Sequence, residues 1–143
     1  SAILPLMPLY QGDTVADFKN WKAKAFYFYD NNQNIVEFIA RFDLDNRSEK
    51  VIDGSSVVSI SEIGVVTDRV KPFCEQLIHE YGLEYFSRQP PLEDFAAVGD
   101  DHGLFIVAKD KRNWYPTNNP ASSYWSSIKF KAGQNIFVLE TIF

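Results

Sequence analysis

The sequence predicts an α+β fold, and two similar hairpin patterns with a helical segment between them support this prediction. The first pattern covers residues 26–42, where two apolar runs flank a polar turn at residues 30–34. The second covers residues 95–108 and has its turn at residues 99–103. Apolar runs rich in aromatic and β-branched residues, joined by Asp, Asn and Gly, are typical of β-hairpins. Because the pattern occurs twice, we predict a repeated module.

A helix is predicted over residues 72–81. Apolar residues recur there every three or four positions, a proline stands in the first turn, and Gly82 follows as a natural stop. Strands are predicted at residues 57–67, before the helix, and at residues 83–87, after it. With the second hairpin, residues 57–108 have the predicted order β-α-β-β-β.

The two ends of the chain have different patterns. Residues 1–12 contain two prolines and are predicted to form an extended edge or loop. Residues 135–142 alternate in a way that predicts one more strand, which could cover a sheet edge. Aromatic residues, Trp114 among them, stand in the polar loops before that strand. Such residues either line a ligand pocket or seal the open edge of a sheet, and both interpretations stay open.

Composition and charge exclude several classes of function. The net charge is -5 at pH 7 and no long run of Lys or Arg occurs, which argues against a nucleic-acid partner and favours cationic over anionic ligands. No apolar stretch approaches the roughly 18 residues of a membrane helix, so no membrane segment is expected. Cys74 is the single cysteine, which excludes an internal disulfide and indicates a reducing compartment. We therefore expect a cytoplasmic protein.

The second strand of the first hairpin carries one carboxylate, Glu37, among apolar residues. Because side chains alternate along a strand, one face of this strand carries Glu37 and Arg41 and the other face is entirely apolar. We expect the apolar face to be core, and the face with Glu37 to border a cavity or water. The two predicted faces are Ile35, Glu37, Ile39 and Arg41 against Val36, Phe38 and Ala40.

Together these features resemble the vicinal oxygen chelate superfamily, which includes glyoxalase I, bleomycin-resistance proteins and extradiol dioxygenases. The run YDNNQNIVEF at residues 29–38 is similar to the family's D-P-x-G-N-x-x-E turn and strand, and residues 60–108 look like a whole βαβββ module. The resemblance implies an α+β fold in which paired βαβββ modules form a curved, cup-like mixed sheet. It assigns residues 1–45 to a partial first module, residues 46–56 to a linker, and residues 57–143 to a second module with a C-terminal extension.

The resemblance also implies metal ligands on the first and fourth strands of each module, commonly His or Gln, Glu, His and Glu. Glu37 matches one of these positions, Glu62 stands where His is usual, and Val107 cannot ligate a metal. The opening strand and helix of the first module are missing, and the Ser-Ala start is interpreted as a sign of an excerpt. We expect no cofactor, with a divalent cation (Mg²⁺, Mn²⁺, Fe²⁺ or Zn²⁺) on Glu37 and Glu62 as the alternative.

Strand alternation and the alignment of the two hairpins predict one pocket in which Glu37 and Glu62 are the main charged groups. No catalytic residue is identified, since His79 and His102 are interpreted as surface and turn residues and Cys74 lacks a His-and-acid partner pattern. The predicted ligand-binding residues are Glu37, Ile39, Glu62, Phe105, Val107 and Trp114.

Two hypotheses for function follow from the resemblance. The first is a protein that binds a small organic molecule without an intact metal site, as the family's antibiotic-binding members do. The alternative is a metal-dependent enzyme, either a glyoxalase-type lyase or an extradiol-type dioxygenase, acting on a substrate with neighbouring oxygens. A partial first module would leave apolar sheet surface uncovered, so we also expect a homodimer.

Overall fold

The computed structural model describes residues 6–9, 12–51 and 53–141. Within these residues the chain is a mixed α+β protein with eight strands in three small sheets and one α-helix. The α+β prediction is therefore confirmed. None of the helices in this described part of the chain is long and apolar enough to span a membrane.

The chain divides into two compact units. The N-terminal unit is Ser1–Lys50 with Tyr115–Asn118, and the C-terminal unit is Val51–Trp114 with Asn119–Phe143. Most of the extended segment predicted at residues 1–12 lies outside the described residues.

Three antiparallel strands form the sheet of the N-terminal unit: β1 (Ala16–Phe18), β2 (Ala23–Tyr29) and β3 (Ile35–Arg41), in the order β1-β2-β3. A short 3₁₀ helix, Lys19–Trp21, joins β1 to β2. The first predicted hairpin is confirmed, because β2 and β3 pair over all 7 residues of each strand. Aromatic residues recur in β2 and β-branched residues recur in β3, as a pleated surface favours.

The side chain of Asp30 closes the turn between β2 and β3. Its Oδ1 atom accepts hydrogen bonds from the backbone N–H groups of Asn32 and Asn34, both at 2.8 Å, and its Oδ2 atom accepts one from the Asn34 side chain at 2.9 Å. The bonds from the Asn34 side chain and backbone lower the pKa of the Asp30 carboxyl. The polar turn residues thus fix the hairpin by local hydrogen bonds.

The face of β3 that carries Glu37 and Arg41 lies on the core side of the N-terminal unit, so the predicted faces are reversed. Ile39, between these two residues on that face, packs against the buried cluster, whereas Phe38 on the all-apolar face is 40% exposed. The core side accommodates a carboxylate because β2 places Tyr27 directly opposite Glu37. The buried cluster consists of Met7, Ala16, Ala25 and Tyr27.

The main sheet of the C-terminal unit has three strands: β4 (Glu62–Thr67), β5 (Phe95–Asp100) and β6 (Gly103–Lys109). Its order is β4-β6-β5, with β4 parallel to β6 and β5 antiparallel to β6. The helix α1 (Val70–Tyr81) makes the crossover after β4. The second predicted hairpin is confirmed as β5 and β6.

The predicted helix is confirmed, with α1 beginning two residues earlier than its apolar spacing indicated. Gly82 ends it at φ 66°, a left-handed conformation that favours glycine, and its N–H donates to the carbonyl of Ile78 at 3.0 Å. One face of α1 is buried against the sheet, and its buried residues are Val70, Phe73, Cys74 and Leu77.

The strand predicted at residues 57–67 begins only at Glu62, so the prediction is wrong for its first five residues. Its neighbour β6 begins at Gly103, and the ladder between them opens with the bond from the Leu104 N–H to the Ser61 carbonyl at 2.9 Å. Residues 57–60 therefore lie beyond the end of β6 and are irregular, although β-branched residues favour a strand there.

The strand predicted at residues 83–87 is reduced to one antiparallel bridge, between Tyr85 and Val98. The segment is held to the tip of the second hairpin by Arg88, whose Nη1 lies 2.8 Å from both carboxylate oxygens of Asp101. Two backbone hydrogen bonds hold the segment beside β5, from the Phe86 N–H to the Ala97 carbonyl at 2.9 Å and from the Gly99 N–H to the Glu84 carbonyl at 2.8 Å, and the ion pair follows directly after it.

A third hairpin, of which only the last strand was predicted from the sequence, covers the helix side of the C-terminal unit. It consists of β7 (Ser126–Ala132) and β8 (Asn135–Thr141). The last predicted strand is confirmed as β8 up to Thr141, and residue 142 lies outside the described residues. β7 was not predicted, although its sequence SSIKFKA alternates apolar and basic residues. Its Phe130 ring meets Phe105 edge to face at 5.0 Å between ring centroids.

Cys74 is fully buried in the core of the C-terminal unit. Burial first, and then the charge of Glu75, raises the pKa of its thiol from 9.0 to about 11. The unfolded chain therefore loses this proton at a lower pH than the folded chain. The stability contributed by the neutral thiol is present below pH 9 and is lost as the pH rises toward 11.

We predict that the free energy of unfolding of the protein falls more steeply with pH in this interval than that of Cys74→Ala. The difference in slope should reach up to about 1.4 kcal/mol per pH unit. Urea unfolding at several pH values measures both slopes. Tyr81, whose pKa is raised mainly by burial, is present in both proteins, so its contribution cancels. The pKa of Tyr85 is raised by burial and also by the charge of Cys74, so both slopes are measured in a Tyr85→Phe background. Equal slopes would contradict the prediction.

Candidate functional site

Glu37 is oriented by a hydrogen bond across the β2–β3 pair. Tyr27 stands opposite Glu37 in the register, and its Oη donates to Oε1 of Glu37 at 2.5 Å. Tyr27 is buried and Glu37 is half-buried. A hydrogen bond between a phenol and a carboxylate is short and strong because the acceptor is charged. The register of the hairpin therefore determines where this carboxylate points.

A series of aromatic ring contacts begins at Tyr27, the donor of this bond. The ring of Tyr115 meets Tyr27 edge to face at 5.5 Å and Phe18 at 5.8 Å, and Phe18 lies 6.2 Å from Trp21. Tyr115 is 50% exposed, so this ring is accessible to solvent. We call Phe18, Trp21, Tyr27, Glu37 and Tyr115 the Glu37 cluster.

Arg41 adds a positive charge to the face that carries Glu37. It is only 5% exposed, and its guanidinium lies 5.8 Å from the centroid of the Trp21 ring. Alternation along β3 puts the two charges on one face, four residues apart. The face that carries Glu37 thus holds a guanidinium as well as a carboxylate. A carboxylate and a guanidinium together leave the face without net charge, which favours a neutral ligand.

Ile39, another predicted ligand residue, lies between these charges on the same face. It pairs with Ala25 of β2 and packs against the buried cluster of the N-terminal unit. The small side chain of Ala25 gives it space there. The structure thus keeps Ile39 beside Glu37, as predicted, and gives it a packing role.

Glu62 lies on the face of the C-terminal sheet that points away from α1. Val65 belongs to the core under the helix, and alternation therefore turns Glu62, Gly64 and Val66 to the opposite face. Glu62 is half-buried there and stands beside Leu104 of β6.

Phe105 and Val107 do not share that face, which corrects the hairpin alignment. The parallel register pairs them with Ile63 and Val65, and both are buried in the core on the helix side. The alignment placed Val107 at the position of Glu37 in the repeat, but it carried no information on which side of the sheet the helix packs. A shift of one residue reverses every side chain of a strand.

Trp114 does reach the face of Glu62. A Cβ atom on Gly64 would lie 2.9 Å from Cη2 and 3.3 Å from Cζ2 of the indole. A side chain at position 64 would force the indole to shift, so the glycine allows the indole to approach the backbone of the sheet this closely. Trp114 is half-buried in this position.

The candidate metal ligands belong to different units, Glu37 to the N-terminal and Glu62 to the C-terminal one. Their convergence in one pocket stays a prediction. Among the described residues, no group of three or more His, Cys, Asp and Glu side chains is placed to hold a metal ion.

A polar depression of about 520 Å³ lies where the parallel strands β4 and β6 end. It includes none of the predicted ligand residues. One of its hydroxyls, Ser123 Oγ, donates to the carbonyl of Val66 at 3.1 Å and so ties the segment before β7 to β4. The lining residues are Asp68, Lys109, Asp110, Lys111, Ser122 and Ser123, with equal numbers of acidic and basic side chains.

The sequence analysis placed Arg41 on the face of Glu37, but it missed Tyr27 and Tyr115 as neighbours of this carboxylate. For Tyr27 a signal existed, since counting outward from a five-residue turn places residue 27 opposite residue 37. No comparable signal pointed to Tyr115, which is distant in sequence.

No protein-family model matches the sequence, and no curated protein matches it.

Proposed function

We propose that the chain is a small-molecule-binding protein of the glyoxalase, bleomycin-resistance and dioxygenase fold, and that its ligand contacts the Glu37 cluster. The observation that carries the proposal is the hydrogen bond from Tyr27 to Glu37 beside the half-exposed ring of Tyr115. Support for the fold comes from the C-terminal unit, where β4, α1, β5 and β6 follow in order and β4 is parallel to β6.

The chemistry of the Glu37 cluster suits a neutral ligand with at least one N–H or O–H group. Aromatic rings provide apolar contact area, and Glu37 provides oxygens that accept hydrogen bonds. The bond from Tyr27 orients this carboxylate. Arg41 on the same face offsets the charge of Glu37. Small-molecule sites combine apolar walls with few polar groups in this way.

We expect a screen of small organic molecules by thermal shift to yield a ligand whose affinity depends on this cluster. Glu37→Gln should weaken its binding by about 1 to 3 kcal/mol, because one hydrogen bond to a charged group is lost. Tyr115→Leu should also weaken binding, through the lost ring contact. Titration calorimetry measures both changes.

Tyr124→Leu is the matched control, because Tyr124 is exposed and lies in the other unit. Its affinity for the ligand should equal that of the unchanged protein. Unchanged affinity in both Glu37→Gln and Tyr115→Leu would overturn the proposal.

The same calorimetry distinguishes the proposed metal-free binding protein from the metal-dependent alternative, a lyase or dioxygenase. Such an enzyme needs at least three protein ligands and an open coordination position. If a metal site used both carboxylates, Mn²⁺ or Zn²⁺ would bind at micromolar concentration, and this binding would be lost in Glu37→Gln and in Glu62→Gln. We expect that no such binding is observed. A metal that binds with this dependence would replace the present proposal by the alternative.

We further propose a homodimer and a cytoplasmic location, the latter supported by the single free cysteine, Cys74. Support for the dimer comes from the outer face of the β7–β8 hairpin, where Ile136 and Val138 are 64% and 58% exposed. Neighbouring apolar side chains on a surface are typical of an interface.

Sedimentation velocity should therefore show a dimer, and Ile136→Lys combined with Val138→Lys should shift it to monomer. Val51→Lys, at an exposed apolar position outside this hairpin, serves as the control and should remain dimeric. A monomeric unchanged protein that melts cooperatively would contradict the dimer.

A further inference from the structure

The face of β4 turned away from α1 combines an aromatic ring and a carboxylate. The indole of Trp114 lies against the backbone at Gly64, and Glu62 precedes Gly64 by two residues on the same face. Two residues of a strand span roughly 7 Å, about the width of a fused two-ring molecule. Both side chains are half-buried, so each keeps part of its surface accessible.

We infer that this face binds a planar nitrogen heterocycle, with its ring stacked on Trp114 and its N–H groups donating to Glu62. The inference rests on the proposed small-molecule function and names the class of ligand that the C-terminal unit takes. It concerns residues separate from the Glu37 cluster.

Each part of this ligand class follows from one side chain. An indole offers a broad π-face, which prefers to stack on another planar ring. An ionised carboxylate only accepts hydrogen bonds, so a ligand that bonds to it must carry N–H or O–H donors. A negative charge on the ligand would meet Glu62 and lower affinity, whereas a delocalised positive charge would be favourable for both Glu62 and the indole.

The loop that carries Trp114 is held by its own backbone, so its shape does not require the indole. The N–H of Lys111 bonds to the carbonyl of Ala121, the N–H of Ala121 bonds to the carbonyl of Arg112, and the N–H of Trp114 bonds to the carbonyl of Asn119, all at 2.8 to 2.9 Å. Ala121 is fully buried at the base of the loop. The loop therefore has a framework that presents the indole to the sheet.

Gly64 decides how closely the indole approaches. A methyl group at this position would lie 2.9 Å from the ring, and the indole would have to move away from the sheet. Gly64→Ala thus displaces the stacking surface without removing an aromatic or charged group. This makes the glycine a specificity-determining position for planar ligands.

The test uses 2-aminobenzimidazole as the probe and two-dimensional NMR of the full chain. We expect shift changes at residues 62–66 and at the indole N–H of Trp114, saturating at millimolar concentration. 1-Methylbenzimidazole is equally planar but lacks an N–H donor, and cyclohexylamine has N–H donors but no planar ring. Both should bind at least about 10-fold more weakly, a loss comparable to one hydrogen bond or one ring contact.

Three variants locate the site. Trp114→Leu, Glu62→Gln and Gly64→Ala should each weaken binding of 2-aminobenzimidazole about 10-fold, and Trp125→Leu, at an exposed tryptophan, should leave it unchanged. Melting temperatures show which variants are folded. If Gly64→Ala unfolds the protein, Trp114→Leu and Glu62→Gln still test whether the probe binds at this face.

Failure of this inference is distinguishable from failure of the proposed function. Absence of shifts at residues 62–66, equal binding of cyclohexylamine, or unchanged affinity in folded Trp114→Leu and Glu62→Gln would each overturn the inference. The dependence of the screened ligand on Glu37 and Tyr115 would stand in all three cases. Binding of 2-aminobenzimidazole that is lost in Tyr115→Leu but kept in Trp114→Leu would move its site to the Glu37 cluster and would also overturn the inference.

Discussion

The register between β2 and β3 is the constraint on which the candidate site of the N-terminal unit depends. It puts Tyr27 opposite Glu37, and the phenol then donates to the carboxylate at 2.5 Å. A slip of one residue would turn Glu37 to the other face and separate it from Tyr27. The hydrogen bonds of Asp30 in the turn prevent this slip, because they tie the turn to one length. A local turn preference thus determines the position of a functional side chain.

The same physical rule operates in the C-terminal unit with different residues. The helix packs on one face of the β4-β6-β5 sheet and buries its larger apolar side chains, among them Val65 and Val107. The opposite face carries Gly64, which admits the Trp114 ring, and Glu62. In both units a half-buried carboxylate on a strand has an aromatic side chain on its own face. Burial of a carboxylate is costly without partners, so such positions need hydrogen-bond donors or solvent nearby.

The sequence predicted the elements better than it predicted their faces. Helix α1 and both central hairpins follow from spacing and turn residues, which are local signals. The faces of β3 were reversed because the partners of Glu37 and Arg41, Tyr27 and Trp21, stand on other elements. Hydrophobicity of one strand alone cannot show which charges find partners. The face of the sheet on which Phe105 and Val107 lie depends on where the helix packs, which the sequence of one strand does not show. Residues 57–60 favour a strand by composition, but in the described part of the chain no neighbouring strand pairs with them.

A double-mutant cycle on Tyr27 and Glu37 tests most directly whether their hydrogen bond organises the N-terminal unit. The free energy of unfolding is measured for the protein, for Tyr27→Phe, for Glu37→Leu and for the double variant. We predict a coupling energy of about 1 to 2 kcal/mol, because a hydrogen bond to a partly buried carboxylate is lost in each single variant. Additive effects, with a coupling energy below about 0.3 kcal/mol, would contradict the central role of this bond.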